Sequence, residues 1–312
     1  MTDDQPSPAA PAEQDAPTRA GFVALIGAPN AGKSTLLNQL VGSKVSIVTH
    51  KVQTTRALVR GIAMHGRAQI IFVDTPGIFA PKRRLDRAMV TTAWGSAADA
   101  DLVALLIDAR KGMSEEVEAI LDRLAGVRQT KVLILNKVDV ADRESLLALT
   151  GEANARVAFD RTFMISALTG DGTDDLMDCF AAAMPESPWL YPEDQISDLP
   201  MRWLAAEMTR EKLMLRLHQE LPYSSTVETE RWTETKDGGV RIEQVIYVAR
   251  DSQRKIVLGK GGSAIKAISM AARKDLSEMM ERPVHLFLFV KVRENWADDP
   301  ERYREMGLEF PT

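Results

Sequence analysis

The chain has 312 residues, of which 45% are hydrophobic and 27% charged; at about 150 residues per domain this predicts two globular domains and excludes disorder throughout. Its 39 basic and 44 acidic side chains leave a net charge of -5, which excludes a protein that coats nucleic acid over its whole surface but leaves room for a local basic patch. The single cysteine, Cys179, admits no intramolecular disulfide, so a cytoplasmic location is expected.

Residues 1–20 are acidic and rich in Pro and Ala, lack the basic start and apolar stretch of a signal peptide, and read as a disordered tail. From Gly21 to Met184 short apolar runs alternate with helical patterns. Phe22–Gly27, Gln69–Asp74, Leu102–Asp108, Lys131–Asn136 and Thr162–Ser166 read as strands, apolar almost throughout. Lys33–Val41, Asp86–Ala97, Glu115–Ala125, Arg143–Ala155 and Thr173–Met184 read as the helices between them. Strands apolar on both faces predict a mostly parallel sheet covered on both sides, an α/β domain over residues 21–184.

The first strand runs into Gly27-Ala28-Pro29-Asn30-Ala31-Gly32-Lys33-Ser34, followed by Thr35. This is the phosphate-binding-loop pattern in its proper place, after a strand and opening a helix. Glycines let successive amides converge on phosphate oxygens, and the helix N-terminus adds partial positive charge. Lys33 would neutralise the β and γ phosphates, and the Ser34 hydroxyl would ligate Mg²⁺. Asp74-Thr75-Pro76-Gly77 closes a later strand; Asp74 is placed to hold a water of the Mg²⁺ shell and the Gly77 amide to sense the γ phosphate. The next residue, Ile78, stands where many GTPases carry a glutamine that orients the attacking water. It cannot hydrogen-bond, so slow unaided hydrolysis is expected.

Base identity is read at Asn136-Lys137-Val138-Asp139. The Asp139 carboxylate can accept from N1 and N2 of guanine, whereas adenine offers no such pair, so GTP and GDP are expected over ATP. Lys137 would lie along the base and Asn136 would tie this loop to the phosphate loop. Ser166-Ala167-Leu168 would present the Ala167 amide to guanine O6.

Four prolines between residues 185 and 200 mark a linker. Beyond it, residues 201–292 read as helix, two strands, two short helices and a strand, and 293–312 as a helical tail. Gly259-Lys260-Gly261-Gly262 sits between the two short helices, the arrangement of a KH module, in which a glycine turn admits a sugar-phosphate backbone. Seven basic residues, Arg250, Arg254, Lys255, Lys260, Lys266, Arg273 and Lys274, face only Asp251 across this stretch. Val257 and Ile265 are the aliphatics expected to floor a groove for bases. The four histidines show no metal-ligand spacing.

On these motifs the first half resembles the translation-factor-related small GTPases, and the chain from Gly21, including Trp296, Pro300 and a helix over 301–306, resembles the Era family of ribosome-associated GTPases. The resemblance implies a P-loop GTPase domain followed by a type II KH domain, and an activity that hydrolyses GTP with Mg²⁺. It implies binding to small-subunit (16S) ribosomal RNA near its 3′ end and a role in assembly of the small ribosomal subunit. Residues 53–56 resemble the family's first switch, whose threonine closes on Mg²⁺; that threonine is Thr55 or, alternatively, Thr54. Lys33, Thr55 and Gly77 are then the groups closest to the reaction, with backbone of the switch and K⁺ near Asn30 offsetting the absent glutamine. A monomer is expected, with peripheral association at the cytoplasmic face of the inner membrane as a secondary property. Two other readings remain: a KH protein whose nucleotide site is structural, and a membrane-associated signalling GTPase.

Overall fold

The computed structural model describes residues 17–218, 221–294, 296 and 299–311. Most of the tail expected over residues 1–20 therefore lies outside the described residues.

The first unit is a six-stranded sheet of β1 (Arg19–Gly27), β2 (Val59–His65), β3 (Ala68–Asp74), β4 (Leu102–Asp108), β5 (Thr130–Asn136) and β6 (Arg161–Ile165), in the order β2-β3-β1-β4-β5-β6. All neighbours are parallel except β2, which pairs antiparallel with β3. Alternation along β1 shows why its strand pattern is apolar throughout. Val23 and Leu25 face α1 (Lys33–Val41) and α5 (Thr173–Ala183). Ala24 and Ile26 face α2 (Arg84–Asp99), α3 (Glu115–Leu124) and α4 (Arg143–Arg156). Both faces are dry, as a parallel sheet built from crossovers requires. The three central strands β1, β3 and β4 end at Gly27, Asp74 and Asp108, and β5 ends at Asn136, so the loops that follow them crowd one edge of the sheet, where ligands of open α/β sheets bind.

Strand β2 is absent from the sequence reading because Gly61 and flanking polar residues break its pattern. The glycine is needed: a Cβ there would lie 2.6 Å from Leu37 Cδ1 and 2.8 Å from Val41 Cγ2, so α1 packs directly on the strand backbone. Residues 185–200 do not hang free. The Ile62 amide donates to the Ile196 carbonyl at 2.9 Å, and the buried Gln69 side chain accepts from the Leu190 and Tyr191 amides at 2.8 and 2.9 Å. The segment thus covers the open edge of β2, which prolines alone could not reveal.

The second unit begins with α6 (Met201–Arg216). Strands β7 (Ser225–Glu234), β8 (Val240–Val248) and β9 (Val284–Val292) form a sheet in that order, β7 antiparallel and β9 parallel to β8. The parallel β8–β9 step demands a crossover, supplied by α7 (Asp251–Leu258) and α8 (Ser263–Met280). Leu204, Met208, Ile242, Leu276 and Leu286 form one part of its core, and Leu213, Ile246, Val248 and Val257 another. The chain closes with α9 (Pro300–Glu305), and Tyr303 and Leu308 pack back on Ala88 and Met89 of α2.

Candidate functional site

The phosphate loop turns left-handed at Asn30 (φ 63°) and Gly32 (φ 104°) before α1 opens at Lys33. At Gly32 a Cβ would stand 2.1 Å from Asn136 Nδ2, so only glycine lets the base loop dock against the phosphate loop. Lys33 is buried and its Nζ donates to the Gly27 and Ala28 carbonyls, both at 3.1 Å. Burial lowers its pKa to about 8, with Asp74 pulling the other way. The loop, with Thr55, Gly77 and Lys137, lines a cavity of about 460 Å³, a size ordinary for a small-molecule site.

Behind Ser34 and Thr55 in the cavity wall lie the buried Asp74 and Ser46, and these four oxygen-bearing side chains converge. Asp74 Oδ2 accepts from Ser34 Oγ at 2.6 Å, Ser46 Oγ at 2.9 Å and Thr55 Oγ1 at 3.5 Å, and the Ser34 and Thr55 hydroxyls are 2.8 Å apart. Asp74 Oδ1 is buried with no partner among the described residues. Burial raises the Asp74 carboxyl above the usual carboxylate range, against the pull of Ser34, Lys33, Ser46 and Thr55. An orphaned carboxylate oxygen beside two hydroxyls is a hard-oxygen donor set and fits Mg²⁺. Of the two candidate threonines only Thr55 reaches this cluster; Thr54 Oγ1 bonds Thr49 Oγ1 at 2.6 Å and the Lys51 carbonyl at 2.8 Å. Ser46 belongs to no recognisable motif and is visible only through its contact with Asp74.

Gly77 is pressed against the phosphate loop: a Cβ there would lie 2.9 Å from Pro29 Cα. Thr75 Oγ1 donates to the Leu25 carbonyl at 2.8 Å, and Pro76 is buried beside it. Ile78 corrects the sequence reading, which placed it among the nucleotide contacts. Its side chain is buried in the core with Ala24 and Trp94, and only its amide returns to the loop, donating to Gly27 O at 3.0 Å.

Asn136 joins the two loops. It is buried, donates to the Ala31 carbonyl at 2.8 Å, and its Oδ1 accepts from the amides of Lys137 at 2.8 Å and Ala167 at 2.9 Å. The Ala167 amide, expected to face guanine O6, is held here by Asn136 Oδ1. Ser166 is buried and its Oγ accepts from the Thr169 amide at 3.3 Å. Lys137 adopts φ 69° and its Nζ donates to Asn30 O at 2.6 Å and to Asp108 Oδ2 at 2.7 Å. Burial pushes the Asp108 carboxyl up, but Arg110 and Lys137 outweigh it and hold it at about 2. Asp108 and Arg110 were not singled out in the sequence; their signal is the position of Asp108 at the end of a central strand. Val138 packs against the core, while Asp139 is exposed in the short turn Val138–Val140. Asn30 Nδ2 donates to the His50 carbonyl at 3.0 Å, which ties the phosphate loop to the segment that carries Thr55.

That segment also grips the second unit. Arg56, buried and next to Thr55, donates to the Ser225 carbonyl at 2.8 Å and the Pro222 carbonyl at 2.9 Å. Arg210 of α6 donates to Thr54 O. Glu211 accepts from the Val48 amide at 2.9 Å and pairs with Lys44 at 2.6 Å. Gln53, at φ 55°, reaches Asp86 of α2 at 3.3 Å.

In the second unit the glycine turn is left-handed at Gly259 (φ 74°), Gly261 (φ 60°) and Gly262 (φ 78°). Gly259 has its space taken, since a Cβ would lie 2.7 Å from Ala264 Cβ. Arg250, Arg254, Lys255, Lys260 and Lys266 are all exposed around it, and Ile265 is half-buried. Val257 is a second correction: it is fully buried among Leu213, Leu217 and Val248. Helical periodicity turns it inward, and the exposed aliphatic of α7 is Ile256. Among the described residues no His, Cys, Asp and Glu group forms a metal cage, and no helix is long and apolar enough to cross a membrane.

Residues 22–137 match the 50S ribosome-binding GTPase family and residues 220–297 the KH domain. GTPase Era of Rhizobium meliloti (strain 1021) is 72% identical over 311 residues, spanning 100% of this chain and 98% of the relative. GTPase Era of Brucella suis biovar 1 is 70% identical over 306 residues, 98% of each chain. Among solved structures, a variant of Aquifex aeolicus Era bound to GDP·AlF4⁻ superposes with a TM-score of 0.87 at 38% identity, covering 93% of this chain and 99% of its own. Era in complex with MgGDPNP and nucleotides 1506–1542 of 16S ribosomal RNA superposes with the same score, identity and coverage.

Proposed function

The chain belongs to the Era family of GTPases, and from this premise we propose that it is a switch whose GTP-bound state sets how its KH domain holds small-subunit ribosomal RNA near the 3′ end, during assembly of the small subunit. In this reading residues 21–184 are the GTPase domain, 185–200 the connector, 201–292 the KH domain and 293–312 the tail. The observation that carries it is the placement of Thr55 and Arg56. Adjacent residues lie one beside Asp74 in the nucleotide cavity and the other on the Ser225 and Pro222 carbonyls of the second domain. A γ phosphate that recruits Thr55 must pull on the segment that holds α6 and β7, and only contacts made in one state shift an equilibrium.

Lys33 would exchange its loop carbonyls for phosphate oxygens, and Ser34, Thr55 and Asp74 would hold Mg²⁺. When bound with the nucleotide, Mg²⁺ spreads the charge that builds on the phosphate oxygens during transfer. Asp139 would pair with the guanine edge, with Lys137 held along the base by Asn30 O and Asp108. The Ala167 amide, exchanging Asn136 Oδ1 for the base, is the donor we assign to O6. Since Ile78 lies in the core, water is positioned by backbone of the Thr55 segment and Gly77. We further propose that K⁺ bound at Asn30 Oδ1 offsets transition-state charge; unchanged turnover on exchange of K⁺ for Na⁺, in both the native protein and Asn30→Ala, would contradict this.

The reading is tested by crosslinking to RNA in cells followed by sequencing, on the native protein and two variants. Lys33→Ala should lose GTP binding. Lys255→Glu with Lys260→Glu, both exposed at the glycine turn, should keep it and lose the RNA. Enrichment of RNA other than small-subunit ribosomal RNA would overturn the assembly role.

A further inference from the structure

The outer face of the KH sheet, opposite the glycine-turn helices, carries three aromatic rings: Tyr247 lies under Arg293 and Arg302 of the tail, while Phe287 and Phe289 are left open and unused by the site above. Along β9 the side chains alternate. Val284 and Leu286 are buried and Leu288 and Val290 pack inward on the domain core. His285, Phe287, Phe289 and Lys291 face outward and are exposed or nearly so, with Phe287 41% and Phe289 49% exposed. Exposing two phenylalanines on one strand face costs solvation that a purely structural strand avoids by placing polar residues there.

Their surroundings point to a flat, charged ligand. The register sets His285 opposite Arg241, Phe287 opposite Glu243, Phe289 opposite Val245 and Lys291 opposite Tyr247. Arg241 lies over the Phe287 ring at 4.3 Å, and Lys291 closes the other end of the row. Both cations have acidic partners on the same face, Arg241 with Glu243 at 2.9 Å and Lys291 with Glu230 at 2.7 Å. The rings thus lie between two ion pairs whose cations are exposed. Such a surface makes a poor dry protein interface, whose centre is depleted of charge, but it suits base stacking, which uses ring faces and leaves backbone charge at the rim. Residues two apart on a strand stand about 6.6 Å from each other, about twice the 3.4 Å step of a stacked nucleic-acid strand.

Continuity with the glycine turn identifies the occupant. β9 is an edge strand, paired only with β8, and α7 and α8 pack on its inner side. Val257 of α7, the helix that leads into the glycine turn, packs in one cluster with Leu288 and Val290 of β9, so a single strand held at the turn would meet the free edge of β9 and could fold round it onto the outer face. We propose that Phe287 and Phe289 form a second stacking platform for single-stranded RNA, engaged by the continuation of the strand held at the glycine turn. This rests on the RNA-binding reading above.

The test uses the full-length protein and two nested single-stranded RNAs from the 3′ end of small-subunit ribosomal RNA. The short one covers the about four nucleotides clamped by a glycine turn, and the other is longer by about six nucleotides on each side of that stretch. Native protein should bind the longer RNA more tightly. Phe287→Ala with Phe289→Ala should weaken the longer RNA by about tenfold or more, leave the short RNA unchanged, and leave GTP turnover and the melting temperature as they were. Phe287→Trp with Phe289→Trp should restore binding, and the double leucine variant should not. Equal affinity of native and alanine variants for the longer RNA, or full retention by the leucine variant, overturns the platform. Loss of small-subunit cosedimentation with both RNA affinities intact also overturns it, in favour of a protein contact. Failure of the native protein to bind either RNA overturns the RNA-binding reading itself.

Discussion

Asn136→Ala should disable both nucleotide states together. The side chain is buried and makes three hydrogen bonds, to the Ala31 carbonyl and from the Lys137 and Ala167 amides, at 2.8–2.9 Å. At about 1 kcal/mol for each bond removed, the phosphate and base loops lose about 3 kcal/mol of mutual support. Part of this appears as lower stability of the nucleotide-free protein and the rest as weaker binding, because the nucleotide must then order the loops. If all of it appeared in binding, GDP and GTP would each weaken by about a hundredfold. The loss should be equal for the two, since Asn136 contacts the base loop and lies apart from the Thr55–Asp74 cluster that would meet the γ phosphate. Titration with fluorescent GDP and a non-hydrolysable GTP analogue, together with urea unfolding of the free protein, measures both parts. A combined change under about 1 kcal/mol, or a loss confined to GTP, would refute the view that Asn136 locks one preformed site.

Thr55→Ala should raise the Mg²⁺ concentration needed for GTP turnover by about tenfold or more while GDP binding changes little; Thr54→Ala should lack this effect and cost about 1 kcal/mol of stability through Thr49 and Lys51. Equal Mg²⁺ dependence of the two variants would contradict the assignment. Burial holds Lys33 at about 8 in the free protein, against 10.5 for an ordinary lysine. Since phosphate needs the ammonium form, nucleotide affinity should fall as pH rises above about 8, with proton uptake approaching one per nucleotide, readable by calorimetry in buffers of different ionisation enthalpy. The same depressed pKa means that the unfolded chain holds more protons than the folded one between those values, so Lys33 contributes rising stability of the free protein from pH 8 to 10.5. Arg56→Met should remove two charge-assisted bonds to the second domain and its contact with Trp296, costing about 3 kcal/mol. It should split a single unfolding transition into two while leaving GDP affinity within a few fold; an unchanged single transition would contradict the interface.

The phosphate and base loops were legible because each chemical role fixes a residue type at a strand end, and the strands that carry them are apolar on both faces. Asp74 and Ser34 meet beside Lys33, and Asn136 docks on the phosphate loop through Ala31, for that reason. Ser46 was invisible because its role comes from a contact across 28 residues. The burial of Val257 was missed for a different reason: a helix pattern names the apolar residues without saying which faces out. β2 was missed because its one glycine serves helix packing and interrupts the strand signal. The path of residues 185–200 depends on Gln69, a buried polar side chain whose partners no local pattern records.

Action as a switch requires that the nucleotide cavity and the RNA surface be coupled through residues 44–58. The direct measurement is the affinity of the full-length protein for a single-stranded RNA of the small-subunit 3′ end with a non-hydrolysable GTP analogue, with GDP and with no nucleotide. Tighter binding with the GTP analogue, abolished in Arg56→Met, is the predicted result. Identical affinity in all three states would mean that the contacts of Arg56, Arg210 and Glu211 hold the domains together without transmitting anything.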